Sequence, residues 1–371
     1  MHRRVAMLLV IVVLTALLPG CIPARAGARC RSTDWERDGK YVLRCTNGRW
    51  KRSMTYQQAA TIIAALLRRP AMGDVVRPAS LGTPQLPNTA DPSVLVDAGV
   101  TYVYATTTYL HVPVVALTDL DAVRTQSDMY TLAKEAMPST PTWAATAEVW
   151  APTVAKLSDG YVMFFAAHRQ SPPDPSNDQC VGRARSSSPL GPFVPEATPV
   201  TCGNDGIHDA LDPSVFVGPD GAAHLLVAMS GSTTNIWTFP LDGNGNISGP
   251  SAALETRDQP WEQVFLENPS MYYDGSTYLL TYSNNNWMTA DYSTGIARCA
   301  TPTGPCTDRT DGPWLSTVGD RSGPGGLTFF TGADGAPRVA FESYATGDIG
   351  LVGKRSTTIA RFYTDPWPRL G

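Results

Sequence analysis

Three acidic residues recur in one local setting at distant points of the chain. Asp91 opens "DPSVLVDAGVTYVYATT", Asp212 opens "DPSVFVGPDGAAHLLVA", and Glu267 stands one residue ahead of "NPSMYYDGSTYLLTYS". Carboxyl groups gathered at one site can divide the work of proton donor and proton acceptor, because burial and like charge move their pKa values apart. An isolated aspartate before proline carries little weight, since it commonly bonds its own backbone to open a turn or strand. Recurrence at matching positions favours the chemical reading. Asp205, Asp209 and Asp220 lie near Asp212 and are read as solvated loop or turn residues.

Each of the three precedes an apolar run, a glycine turn and a second apolar run, and "APTVAKLSDGYVMFFAA" and "GGLTFFTGADGAPRVAFES" repeat that pattern. The turn glycines are Gly99, Gly160, Gly221, Gly275 and Gly335, giving spacings of 61, 61, 54 and 60 residues. Asp-Gly between apolar runs is a strong hairpin signal, because the turn needs the positive φ that glycine tolerates. Four units carry it, and the first has Asp-Ala-Gly instead. A period near 60 residues leaves room for four short strands, so the pattern predicts an all-β fold, a five-bladed β-propeller over residues 87–371. Two stacked sandwich domains would not repeat so regularly. In a propeller the first strand of every blade runs along the axis, so the residues leading into those strands meet at one end. Asp91, Asp212 and Glu267 are expected there.

The composition agrees with this architecture. With 32 Gly and 31 Pro in 371 residues the chain is rich in turns, and 43% hydrophobic residues suffice for a sizeable core. A net charge of −4 with scattered Lys and Arg excludes a nucleic-acid partner. Residues 1–21 read as an export signal: Arg3 and Arg4 precede an apolar run from Val5 to Leu18 that is shorter than the ~20 residues spanning a bilayer. Its "LLPGC" ending resembles a bacterial lipobox, which implies lipidation of Cys21. The protein is therefore expected outside the cell, held to the membrane only through a lipid. The remaining cysteines are Cys30, Cys45, Cys180, Cys202, Cys299 and Cys306, an even number suited to an oxidising compartment. Six cysteines allow fifteen connectivities, and pairing of sequence neighbours is the favoured one. Residues 22–86 form a small region: "CRSTDWERDGKYVLRC" reads as a disulfide-closed hairpin, "TYQQAATIIAALLRR" has the spacing of one helix, and a proline-punctuated linker follows.

The blade motifs "NTADPSVLVDAGVTYVYAT", "EVWAPTVAKLSDGYVMFFAA", "ALDPSVFVGPDG" and "FLENPSMYYDGSTYLLTYS" resemble those of glycoside hydrolase family 43, and "RSTTIARFYTDPWPRLG" resembles its closing strand. The resemblance implies hydrolysis of arabinofuranosyl or xylosyl linkages with inversion, Asp91 as general base, Glu267 as general acid and Asp212 as the group that tunes and orients the acid. Inversion asks for carboxyls roughly 6.5 to 9.5 Å apart, to admit a water between base and sugar. Two residues depart from the family pattern: Asn268 follows the acid where glycine is common, and Gly326 follows "GPG" where a histidine near a central cation is common. No cofactor is required on this reading, and Gly326 argues against a structural calcium. Aromatic faces stack on sugar rings, which makes Trp150 the leading substrate wall, with Trp287 and then Trp261 behind it; His208 is a further candidate for the pocket lining. The segment from Gln170 to Asp209 is placed to rim the pocket. A monomer acting on a poly- or oligosaccharide is expected. The competing expectation is a carbohydrate-binding surface propeller without catalysis.

Overall fold

In the computed structural model the described residues are 25–30, 35–59, 71–158, 160–170, 178–203, 208–230, 235–351, 353–365 and 367–371. The proposed signal peptide, Cys21 and Asp205 lie outside them. The chain divides into two compact units, Met1–Ala71 with Gly275–Thr277, and Met72–Asp274 with Tyr278–Gly371.

In the smaller unit Trp35–Asp38, Tyr41–Thr46 and Arg49–Thr55 form a three-stranded antiparallel sheet, and a disulfide joins Cys30 to Cys45. The predicted helix is helical at residues 56–59, and its continuation lies outside the described residues.

The larger unit holds five four-stranded antiparallel sheets whose strands follow in chain order. Their first strands are Ser93–Asp97, Trp150–Leu157, His208–Val217, Leu266–Tyr273 and Arg321–Thr331, and each contacts the next until the fifth meets the first. This is a five-bladed β-propeller. The second strands explain why the sequence reads as it does. In "YVMFFAA" Met163 and Phe165 join an apolar cluster with Val114 and Tyr104 of blade one, while Val162 and Phe164 join Leu225 and Val227 of blade three. Successive side chains of a strand point to opposite faces, so a strand pressed between two neighbouring blades must be apolar at nearly every position. Similar clusters join blades three and four, four and five, and five and one. The core is thus a ring of five interfaces.

Closure of that ring uses backbone pairing as well. Leu86, upstream of blade one, exchanges hydrogen bonds with Thr357 on the third strand of blade five, and the Thr89 N–H donates to the Arg355 carbonyl. Two more disulfides, Cys180–Cys202 and Cys299–Cys306, lie within blades two and four. A helix that the sequence reading did not foresee, Gln126–Leu132, connects the outer strands of blade one. Thr125 and Asp128 cap it reciprocally. Among the described residues no helix is long and apolar enough to cross a membrane.

Candidate active site

In blades two to five the first strand interrupts its pairing at the same point. Trp150 faces Ala166 and then Thr153 faces Phe164; Leu211 faces Ala228 and then Ser214 faces Leu226. Glu267 faces Ser283 and then Ser270 faces Thr281; Gly325 faces Glu342 and then Thr328 faces Ala340. Two residues stand inside each bulge, and in blades two to four the second is proline, which has no N–H to leave unpaired. The first is left-handed: φ is +43° at Ala151, +51° at Asp212, +45° at Asn268 and +56° at Gly326, and Asp91 of blade one matches them at +50°. Bulges of this kind re-aim a side chain. All five positions line one axial cavity.

The carboxylates expected to meet do meet, through a shared network. The Asn268 N–H donates to Asp212 Oδ2 at 3.1 Å, and the Asn268 Nδ2 donates to Asp91 Oδ1 at 3.4 Å. The Tyr292 hydroxyl lies 2.7 Å from Glu267 Oε1 and 2.6 Å from Asn268 Oδ1. Asp91 is the most heavily bonded of the three. Its carboxylate also accepts from the Thr106 hydroxyl at 2.5 Å and from Arg355 Nη1 at 3.2 Å, while its own N–H donates to Glu342 Oε2 at 2.6 Å. Arg355 Nη1 reaches Glu342 Oε1 at 2.6 Å.

Burial dominates the electrostatics. Asp212 and Glu267 are each 8% exposed. Loss of hydration, with the Asp91 charge beside it, pushes the Glu267 carboxyl up to about 7, against the opposing pull of the Tyr292 hydroxyl and Arg355. Asp212 is raised well above the usual carboxylate range by burial first and then by Glu267 and Asp91. Fully buried Glu342 is also pushed up to about 7, with Arg355 opposing the shift.

The other expected residues fall into place unevenly. Trp287 lies under the Arg355 guanidinium, 4.8 Å from carbon to ring centre, and so borders the carboxylate network. Trp150, adjacent to the blade-two bulge, is partly exposed and meets His168 edge-on at 4.7 Å. Trp261 stacks against Tyr282 beside the apolar cluster of blades three and four, which makes it a packing residue. His208 pairs with Ser230 through its backbone, and its side chain lies outside the described residues. Asp220 is an exposed turn residue, whereas Asp209 accepts the N–H groups of Asp178 and Gln179 and ties down the end of the segment that begins at Gln170. The sequence reading of Asp209 as merely solvated is corrected by those two bonds.

Sequence reasoning missed Thr106, Tyr292, Glu342 and Arg355. They stand outside the first strands, where the repeat carries no mark of them. One signal was present: Glu342 interrupts the apolar run "RVAFES" of a strand that both neighbours cover.

Five sheets about one axis, with carboxyl groups buried at the head of their innermost strands, define a propeller with an axial acidic site. The sequence pattern of glycosyl hydrolases family 43 matches residues 83–368, and the chain belongs to that family. An extracellular endo-alpha-(1->5)-L-arabinanase of Thermotoga petrophila is 26% identical over 246 residues, 59% of this chain and 50% of that protein. The chain thus spans about half the length of that relative. Among solved structures, a thermostable family-43 glycoside hydrolase superposes with a TM-score of 0.67 at 23% identity, covering 79% of this chain and 96% of the other. An alpha-L-arabinofuranosidase from Lactobacillus brevis gives 0.64 at 17% identity, with 78% and 95% covered.

Proposed function

We propose that the protein hydrolyses glycosidic bonds with inversion, acting on arabinofuranosyl- or xylosyl-containing polysaccharides or oligosaccharides. The observation that carries this reading is the convergence of Asp91, Asp212 and Glu267 on one network in which their surroundings differ. Glu267, pushed up to about 7, retains a proton to give to the leaving oxygen near neutrality. Asp91, surrounded by the donors Arg355, Thr106 and Asn268, is the acceptor that takes a proton from the attacking water. At the end of a turnover Asp91 holds that proton and Glu267 has lost one, so one proton is released and one taken up before the next. Asp212, joined to Glu267 through the Asn268 backbone, orients the acid.

Trp150 and Trp287 border the sugar in this reading. Arabinofuranosyl linkages are the first choice, because the names of two of the relatives above contain arabinose units. No metal is assigned a role. The Arg355 guanidinium supplies the positive charge beside Asp91 and Glu342. Export, a lipid on Cys21 and a monomeric state complete the proposal.

Incubation of the purified protein with aryl arabinofuranosides, aryl xylosides and arabinan tests the activity, and proton NMR of the first-formed sugar anomer tests inversion. Binding of these sugars without cleavage would establish the non-catalytic propeller instead.

A further inference from the structure

The Tyr292 hydroxyl makes two close oxygen contacts, to Glu267 Oε1 at 2.7 Å and to Asn268 Oδ1 at 2.6 Å, but it owns a single hydrogen. The direction of each bond is therefore decidable. Asn268 faces Asp91 with Nδ2, as it must if Asp91 is an ionised carboxylate that can only accept. Its Oδ1 is thereby turned to Tyr292, and an amide oxygen carries no hydrogen. The Tyr292 hydrogen then belongs to Asn268, and the contact between Tyr292 and Glu267 needs a hydrogen from Glu267. One directed chain results: Glu267 donates to Tyr292, Tyr292 to Asn268, and Asn268 to Asp91. The opposite distribution, with Glu267 ionised and Asp91 protonated, requires the amide to be turned over.

We propose that Asn268 is a positioning residue that sets the resting protonation of the site: by engaging the only hydrogen of Tyr292 and offering Nδ2 to Asp91, it keeps the proton on Glu267 and Asp91 bare. This rests on the assignment of Glu267 as acid and Asp91 as base. The groups that face Glu267 are Asp91, Asp212, Tyr292 and Arg355. Of these, Tyr292 alone can reverse its bond, because a hydroxyl donates as readily as it accepts. Without the Asn268 oxygen to hold it, the Tyr292 hydrogen turns to the ionised Glu267 and stabilises that charge.

Two substitutions and their combination separate the roles of the two side chains. Asn268→Gly frees the Tyr292 hydrogen, and glycine adopts the left-handed backbone at this position without strain. Asn268→Ala is a second form of the same deletion, since Ala151 occupies the matching bulge of blade two. Tyr292→Phe removes the hydroxyl through which Asn268 acts, so Asn268→Gly should have no effect in that background. The measurement is the titration of the Glu267 side chain by carbon NMR in the full chain labelled at glutamate carboxyls, the resonance being identified by its loss in Glu267→Gln. We expect a shift of about one pH unit downward in Asn268→Gly and no further shift when Asn268→Gly is added to Tyr292→Phe. In the hydrolytic assay the alkaline limb of kcat/KM should follow the titration. A downward shift as large when Asn268→Gly is added to Tyr292→Phe, or an unmoved Glu267 in both Asn268 variants, would overturn the proposal. A wild-type protein that cleaves none of the sugars would overturn the proposed function instead, and the NMR titration would still decide the role of Asn268.

Discussion

Asp91 has more partners than a carboxylate that merely opens a strand would need, and its replacement is the most direct test of its role. Asp91→Asn preserves shape and, with its amide oxygen toward Arg355, keeps that contact while the Thr106 bond must reverse direction; it cannot take a proton, so kcat should fall by roughly 10²- to 10⁴-fold with the melting temperature little changed. The acid makes a complementary prediction in pH. On the proposed mechanism activity needs Glu267 protonated, and with its carboxyl at about 7 the kcat/KM profile should decline as pH rises through neutrality. Gly326 is a third residue with a defined task. Its φ of +56° and the 3.1 Å that a Cβ would leave to Glu342 Cδ mean that a side chain makes the Glu342 carboxyl, which accepts the Asp91 N–H, give by a few tenths of an ångström. Gly326→Ala should cost about 1–2 kcal/mol of stability through the left-handed backbone and lower kcat roughly tenfold to a hundredfold through displacement of Asp91. A thermal melt and steady-state kinetics check both. Asp91, Asp212 and Glu267 could be read from the sequence because a repeat exposes residues that stand at matching positions. Thr106, Tyr292, Glu342 and Arg355 could not, because they serve one blade each and no periodicity marks them.

The elements that hold these residues are hairpins whose turns the sequence announces by glycine. In blade one the turn is Ala98-Gly99, with both residues at positive φ, +48° and +81°. That is the turn matched to the strand twist, and its first position suits Asn, Asp or Gly better than Ala. Ala98 is exposed and remote from the carboxylate network, so Ala98→Gly should raise stability by about 0.5–1 kcal/mol and leave kcat unchanged. A lower melting point would show that the turn gains nothing from glycine. The bulges explain a detail of spacing as well. Glu267 lies one residue before the positions of Asp91 and Asp212, because it is the last residue paired ahead of its bulge, whereas Asp212 stands in a bulge and Asp91 takes the matching left-handed position ahead of blade one. The offset was visible in the sequence. Its cause was not, since a bulge leaves no compositional trace beyond a proline. The helix Gln126–Leu132 escaped notice for a related reason: seven residues with a single buried side chain, Met129, present no apolar face to read.

At the scale of the whole molecule, buried acids make stability depend on pH. Glu267 and Glu342 at about 7, and Glu255 at about 8, each keep protons that the unfolded chain releases near 4.5. The folded state then binds more protons than the unfolded state between those values. Stability from these groups is complete below about pH 4.5 and is lost as pH rises to 7 and 8. The melting temperature should therefore be higher at pH 5 than at pH 8, and Glu267→Gln should reduce that difference; an unchanged difference would place the cause elsewhere.

The pairing of Leu86 with Thr357 has a consequence for biosynthesis. The two halves of this clasp, which also joins Thr357 to Thr89, are separated by 268 residues of chain. A ribosome delivers the upstream half long before its mate exists, so blades one to four must wait as an open arc with an unsealed flank. The circle snaps shut only after nearly all of the propeller has been synthesised, and a carboxylate network that draws on blades one, three, four and five is born in that final step.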